Sequence, residues 1–273
     1  MEATIETGGS EILETNNTLK RSLRVIDSSL KVLMVESAPR WEFKYIQAML
    51  LREKRIDLDC YLATVDSAVA RAKDNPYIEK FPERREDLFG YDLILFGDID
   101  PDKLPDNAIE NITSFVSEGS GSLVILAGKR FTPDSYRNTA LERLLPIELS
   151  PTRLGASTEI ANRPIRLKLT DDGLAEGFLN LEEDPELAEA RWSKLPPVYW
   201  VAKTERAKPA AKTYLVNPNG NYPVMAMQRY GAGEVMWIGT ENTWRWRRNT
   251  GDLYHTRFWG QVVRWMSHAR HLA

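Results

Sequence analysis

Sulfur and imidazole are scarce in this sequence. Its 273 residues include one cysteine, Cys60, and three histidines, His255, His268 and His271, all within the last twenty positions. A lone thiol excludes an intrachain disulfide, a Cys-rich metal site and a CxxC redox pair. Any imidazole-based metal site is confined to one corner of the chain. No apolar run approaches the ~18 residues of a membrane-spanning helix, and the opening MEATIETGGSEILETNN has no signal-peptide character. A surplus of one charge is missing too. Thirty-six Lys and Arg stand against 39 Asp and Glu, a net charge of −3. Binding to nucleic acid or an anionic membrane through bulk charge is therefore not expected. There is no internal repeat and no low-complexity tract. What remains is 42% hydrophobic and 27% charged, enough apolar material for a sizeable core.

Residues 1–18 are polar, and Leu19–Ile26 (LKRSLRVI) alternates like a half-buried strand. With only polar linker before it, residues 1–28 are expected to be the tail of an upstream β-domain or an edge strand of the main sheet. From Lys31 the pattern becomes α/β. KVLMVE (31–36) is a near-continuous apolar run, as in a strand covered on both faces. A helix follows over 41–52, a strand over 56–63, a long connection over 64–90, and a strand over 92–100 (DLILFGDID). Next come a helix over 105–118, a strand over 122–128 (SLVILAG) and a helix over 133–145. Strand–helix alternation of this kind predicts an open, doubly wound, mostly parallel sheet. The second half reads as strands at 164–170, 198–204, 211–217, 223–230 and 233–239. The last two would form a hairpin through Gly231-Ala232-Gly233, before a terminal helix over 254–271.

In open α/β sheets, ligands bind beyond the carboxyl ends of the strands. Those ends carry Arg40, Trp41 and Glu42 after the first strand, Asp98 and Asp100 after the third, and Lys129 and Arg130 after the fourth. Glu241, Trp244, Arg245 and Trp246 follow the late strand. Two readings stay open. Arg40 and Glu241 could neutralise each other and cap the sheet, with Trp244 and Trp246 as core plugs. Alternatively the cluster is a recognition surface, with Arg40 and Arg245 contacting carboxylates or phosphates and Trp41 and Trp244 forming an aromatic wall.

Catalytic sets are thin. A nucleophile elbow needs Ser or Cys at a tight turn with a base in reach, and the turn after 122–128 offers Gly128-Lys129-Arg130. Cys60 lies inside a strand, as a small core residue would. Ser37 has no assured histidine, and His255 opens the last helix, where a structural role is as natural as a chemical one. Asp98 and Asp100 could ligate Mg²⁺ or simply cap the following turn. A hydrolase built on Ser37 or on those two acids, or a carbohydrate-binding module using the indole faces, are the alternatives. No cofactor is expected.

The segments VLMVESAPRWEFKYIQAML, FPERREDLFGYDLILFGDIDPDKL, FVSEGSGSLVILAGKRFTPDSYRNTALERLLPI and ENTWRWRRNTGDLYHTRFWGQVVRWM resemble the class I glutamine amidotransferase-like domain of bacterial, planctomycete-type membrane proteins. Such proteins also carry von Willebrand factor A-type domains. The resemblance spans about residues 31–270. It implies a flavodoxin-like sheet over 29–273, preceded at 1–28 by a linker and the last strand of an immunoglobulin-like domain, within a membrane-anchored parent. Active members place a cysteine at the elbow after the strand matching SLVILAG and a His-x-Glu pair after a late strand. Here those places read Gly128-Lys129-Arg130 and Gly239-Thr240-Glu241. A glutamate alone generates no thiolate, so glutaminase activity is expected to be absent. The expectation is a non-catalytic domain that binds other domains of its parent or a protein partner.

Overall fold

The apolar runs singled out above become strands whose side chains point alternately into two covered faces. The computed structural model describes residues 2–4, 18–20, 29–70, 75–151 and 163–272. Strands β1 (Glu2–Thr4) and β2 (Thr18–Lys20) pair antiparallel as a sheet of their own. The strand expected over 19–26 is thus seen at its start only, and residues 21–28 lie outside the described residues. The first half then runs β3 (Leu30–Glu36), α1 (Trp41–Leu50), β4 (Ile56–Leu62), α2 (Ser67–Ala70), α3 (Arg85–Leu88) and β5 (Leu93–Phe96). It continues through α4 (Ala108–Ser117), β6 (Ser122–Leu126), α5 (Ala140–Leu144) and β7 (Ile147–Leu149). The second half holds β8 (Lys168–Leu169), α6 (Asp171–Ala175), α7 (Ala188–Lys194), β9 (Thr204–Ala207), β10 (Lys212–Asn217), β11 (Tyr222–Tyr230), β12 (Gly233–Ile238) and α8 (Leu253–Leu272).

Eight strands make the central sheet in the order β4-β3-β5-β6-β12-β11-β10-β8. The first five are mutually parallel, in the flavodoxin order, and the last three add antiparallel. The α/β, doubly wound, flavodoxin-like sheet with antiparallel additions in the C-terminal half is therefore present. Val32, Met34, Leu93, Leu95, Val124 and Met236 face α1 and α8. Their strand neighbours Leu33, Val35, Ile94, Phe96, Leu123 and Ile125 face α3, α4 and α5. Burial on both faces explains the unbroken apolar runs, each such side chain contributing about 1.5–3 kcal/mol.

Several boundaries shift. The helix expected over 133–145 is a 3-10 turn at Asp134–Tyr136 followed by the short α5. The strand expected over 198–204 does not form. Val198 makes a single bridge to Ile165, Ala202 donates to Gly239 O at 2.7 Å, and the strand begins only at Thr204. Val198, Trp200, Val201 and Ala202 are buried all the same. Packing, not sheet pairing, is what their apolar character serves. The β11–β12 hairpin closes as expected, with Gly231 at φ +61°, a backbone state costly for a residue bearing Cβ. Among the described residues no helix is long and apolar enough to cross a membrane.

Candidate functional site

The strand order reverses beside β3, so the crevice between the carboxyl ends of β3 and β5 is the topological switch point where such sheets take ligands. Here it is filled by the protein's own charges. Glu36 ends β3, and Arg40 four residues on donates from Nε to Glu36 Oε1 at 2.7 Å. Arg40 Nη2 stands 2.7 Å from the same oxygen, in ion-pair contact though not aligned for a hydrogen bond. Its Nη1 donates to Ala127 O at 2.7 Å and meets Glu241 Oε2 at 3.3 Å. Glu241 Oε1 in turn pairs with Lys129 Nζ at 3.0 Å. The other oxygen of Glu36 accepts from the Asp98 amide at 3.1 Å. The carboxylate sits so close to β5 that a Cβ on Gly97 would lie 1.9 Å from its Oε1. Burial pushes Glu36 up to about 7, against the pull of Arg40.

Asp98 and Glu42, expected on a recognition surface, are interior. Asp98 accepts from the amides of Arg130, Phe131 and Thr132 at 3.2, 2.8 and 2.9 Å, moulding the loop after β6 around one carboxylate. A Cβ on Gly128 would fall 2.0 Å from Asp98 Cγ. Asp100 caps the next turn by accepting from Asp102 N at 3.2 Å. Both Asp98 oxygens are thus taken by backbone amides, and no group of three candidate ligands exists among the described residues. Ser37 Oγ is buried and accepts from Asp100 N at 2.7 Å. Cys60 is buried on β4, accepts from Gln47 Nε2 at 3.3 Å, and has its thiol pushed up to about 12 by burial. His255 is buried with Nε2 unpartnered, and burial pushes it down to about 4, so it is neutral near pH 7.

Glu42 lies in the first turn of α1, yet its carboxylate points inward. Trp259 Nε1 donates to Thr243 Oγ1 at 2.9 Å, the Thr243 hydroxyl donates to Glu42 Oε1, and Trp244 N reaches Oε2 at 3.3 Å. Burial pushes Glu42 up to about 7, with the Thr243 hydrogen bond opposing it. This chain fastens the 3-10 turn Thr243–Arg247 to α1 and α8. Trp246 is the core plug of that turn: it is buried, with its ring edge-on to Trp192 at 5.4 Å and to Phe258 at 5.0 Å. It presents no face to a partner.

Outside this lock lies a ring face. Trp41, 58% exposed, stacks with Tyr45 at 5.8 Å and meets Trp244 at 6.0 Å, and Tyr45 stacks with Trp244 at 6.2 Å. Cations sit on these rings. Lys44 Nζ is 5.3 Å from the Trp41 centroid, and Arg247 Cζ is 3.8 Å from that of Tyr45. Arg245 Cζ lies 4.5 Å from Trp244 and 4.7 Å from Tyr199. Each such contact is worth about 0.5–1 kcal/mol at an exposed site. Lys129 and Arg130 are exposed at the neighbouring loop.

The structure thus divides the expected residues. Arg40, Glu42, Asp98, Glu241 and Trp246 hold the fold together, while Trp41, Trp244 and Arg245 share an open face, with Lys129 and Arg130 at its margin. Tyr45, Lys44, Arg247 and Tyr199 belong to the open face and escaped sequence reasoning. Tyr45, one helical turn from Trp41, carried a usable signal. Tyr199 carried none, since it arrives only because Asn242 Oδ1 accepts its amide at 2.9 Å.

No protein-family model matches the chain, and no curated protein matches it. Among solved structures it is similar to a cytoplasmic protein from Salmonella typhimurium, with TM-score 0.60 and 18% identity over 87% of this chain and 99% of that one. It is also similar to a ThuA-like protein from Bacteroides uniformis, with TM-score 0.46 and 9% identity over 90% and 95%. An exo-β-1,4-mannosidase from an Opitutaceae bacterium gives TM-score 0.46 and 14% identity over 85% of this chain and 35% of that chain. At 18% identity, the first likeness extends to the fold and no further.

Proposed function

We propose that this chain is a non-catalytic module of glutamine amidotransferase-like fold that binds a protein partner, or another domain of a membrane-anchored parent, through its ring face. The observation carrying this reading is the closed ion network Lys129–Glu241–Arg40–Glu36 in the switch-point crevice. Where the resemblance calls for a thiolate nucleophile, Lys129 presents an ammonium already paired with the surviving glutamate. The one thiol lies buried on β4 and is protonated at neutral pH. The exposed Trp41 ring, backed by the half-buried Tyr45 and Trp244, supplies what the crevice does not, an accessible apolar surface of the composition enriched at interfaces.

A two-armed experiment tests the reading. Glutamine incubated with the purified chain should release no ammonia above the protein-free rate. A photo-crosslinking amino acid at position 44, beside Trp41, should trap a protein identifiable by mass spectrometry in cells of the source organism. The same group at exposed position 174 on α6 should not. Ammonia release abolished by Lys129→Ala or Glu241→Ala, or equal capture from both positions, overturns the proposal.

A further inference from the structure

Arg245 differs from Arg40, Lys129 and Arg247 in what it lacks. Arg40 is bound by Glu36, Ala127 O and Glu241. Lys129 is held by Glu241, and Arg247 Nε by Asp252 at 2.5 Å. Arg245 is clamped between the Tyr199 and Trp244 rings, its Nε is buried without a hydrogen bond, and no carboxylate pairs with it among the described residues. The two rings flank the guanidinium, so less rotamer freedom is left to lose when a ligand meets its fork. The local acids point elsewhere. Glu42 faces Thr243, Glu241 faces Arg40 and Lys129, and Asp252 faces Arg52 and Arg247. The face that remains carries uncompensated positive charge beside the exposed Trp41.

We infer that Arg245 is the anion receptor of the binding face, taking the carboxylate of an Asp or Glu side chain of the partner protein while a neighbouring apolar side chain lies on Trp41. This rests on the binding reading above and names the chemistry of its partner. One free fork matches one singly charged, planar carboxylate. A phosphate group, with close to two charges at neutral pH, calls for converging cations. Here Lys44 lies over Trp41, Arg130 over Phe131 and Lys129 against Glu241, so these three cations are each directed to a contact of their own and not to Arg245.

The test follows the Arg245 Nε–H signal by NMR in the whole chain, assigned with Arg245→Lys. The probes are the blocked peptide acetyl-Gly-Glu-Phe-Gly-amide, its Gln counterpart and inorganic phosphate. The Glu peptide should move this signal and bind about tenfold more tightly than the Gln peptide. Arg245→Lys keeps the charge but loses the fork, and should shrink that preference. Arg245→Gln removes the charge as well and should erase it, with thermal melting checking that both variants are folded. Equal binding of the Glu and Gln peptides, phosphate binding as tightly as the Glu peptide, or a preference that survives Arg245→Gln overturns the inference. If position 44 still traps an identified partner while the peptides fail to differ, only the carboxylate assignment falls. If nothing is trapped, the binding reading itself falls.

Discussion

The crevice at the switch point and the ring face lie side by side at the same end of the sheet, and both are built from arginine, glutamate and tryptophan. In the crevice each charge has an internal partner, and Gly97 and Gly128 give up their side chains so that two carboxylates can fit against β5 and the loop after β6. On the ring face Trp41 is exposed over the half-buried Tyr45 and Trp244, and Arg245 has no carboxylate partner among the described residues. Residue type therefore does not separate a structural element from a recognition element. What separates them is whether the polar groups are satisfied within the chain.

That contrast can be strained from its strongest point to its weakest. Gly97→Ala drives a methyl group into the Glu36–Arg40 pair, and should lower stability by about 3–5 kcal/mol, the cost of disrupting a buried ion pair, measured by urea denaturation. Trp246→Ala, on the inward side of the same turn that carries Trp244, should cost a similar ~3–5 kcal/mol. Glu42→Gln probes the joint between the two regions through pH. Because burial raises Glu42 from 4.5 to about 7 in the folded state, the folded protein holds the proton more tightly than the unfolded one. Its contribution is then fully present below pH 4.5 and is lost as pH rises through about 7. The wild type should lose stability between about pH 4.5 and 7, and Glu42→Gln should flatten that slope, by at most on the order of 3 kcal/mol across the window. Trp41→Ala should change stability least, within about 0.5 kcal/mol, while weakening capture at position 44.

Much of the fold was legible in the sequence because burial on both faces leaves a plain signature. The runs at 31–36, 92–96, 122–126 and 233–238 are apolar without alternation, as strands of a doubly covered sheet must be, and Gly231 marks the hairpin. The segment 198–202 misled for the same reason. It is as apolar as a strand and as buried, but periodicity cannot distinguish burial by packing from burial in a ladder. Strand β9, Thr-Glu-Arg-Ala, is too polar to announce itself. At the site, position along the chain located the right end of the sheet but could not divide it. Glu42 reads as a solvated first-turn acid until Thr243, 201 residues away, is brought against it. Arg40 and Arg245 look alike in sequence, each following a strand end, and only the fold hands one of them three internal acceptors.

Those two arginines offer the most direct measurement. Arg40→Met and Arg245→Met, melted side by side in the same buffer at neutral pH, remove the same group from the two regions. Arg40→Met leaves Glu36 buried and unpaired, which should cost about 3–5 kcal/mol, roughly 10 °C in melting temperature at 2–4 °C per kcal/mol. Arg245→Met forfeits the two ring contacts, about 1–2 kcal/mol, and should lower the melting temperature by only about 5 °C. Two variants that melt together, or Arg245→Met melting lower than Arg40→Met, would contradict the division of this end of the sheet into a closed lock and an open face.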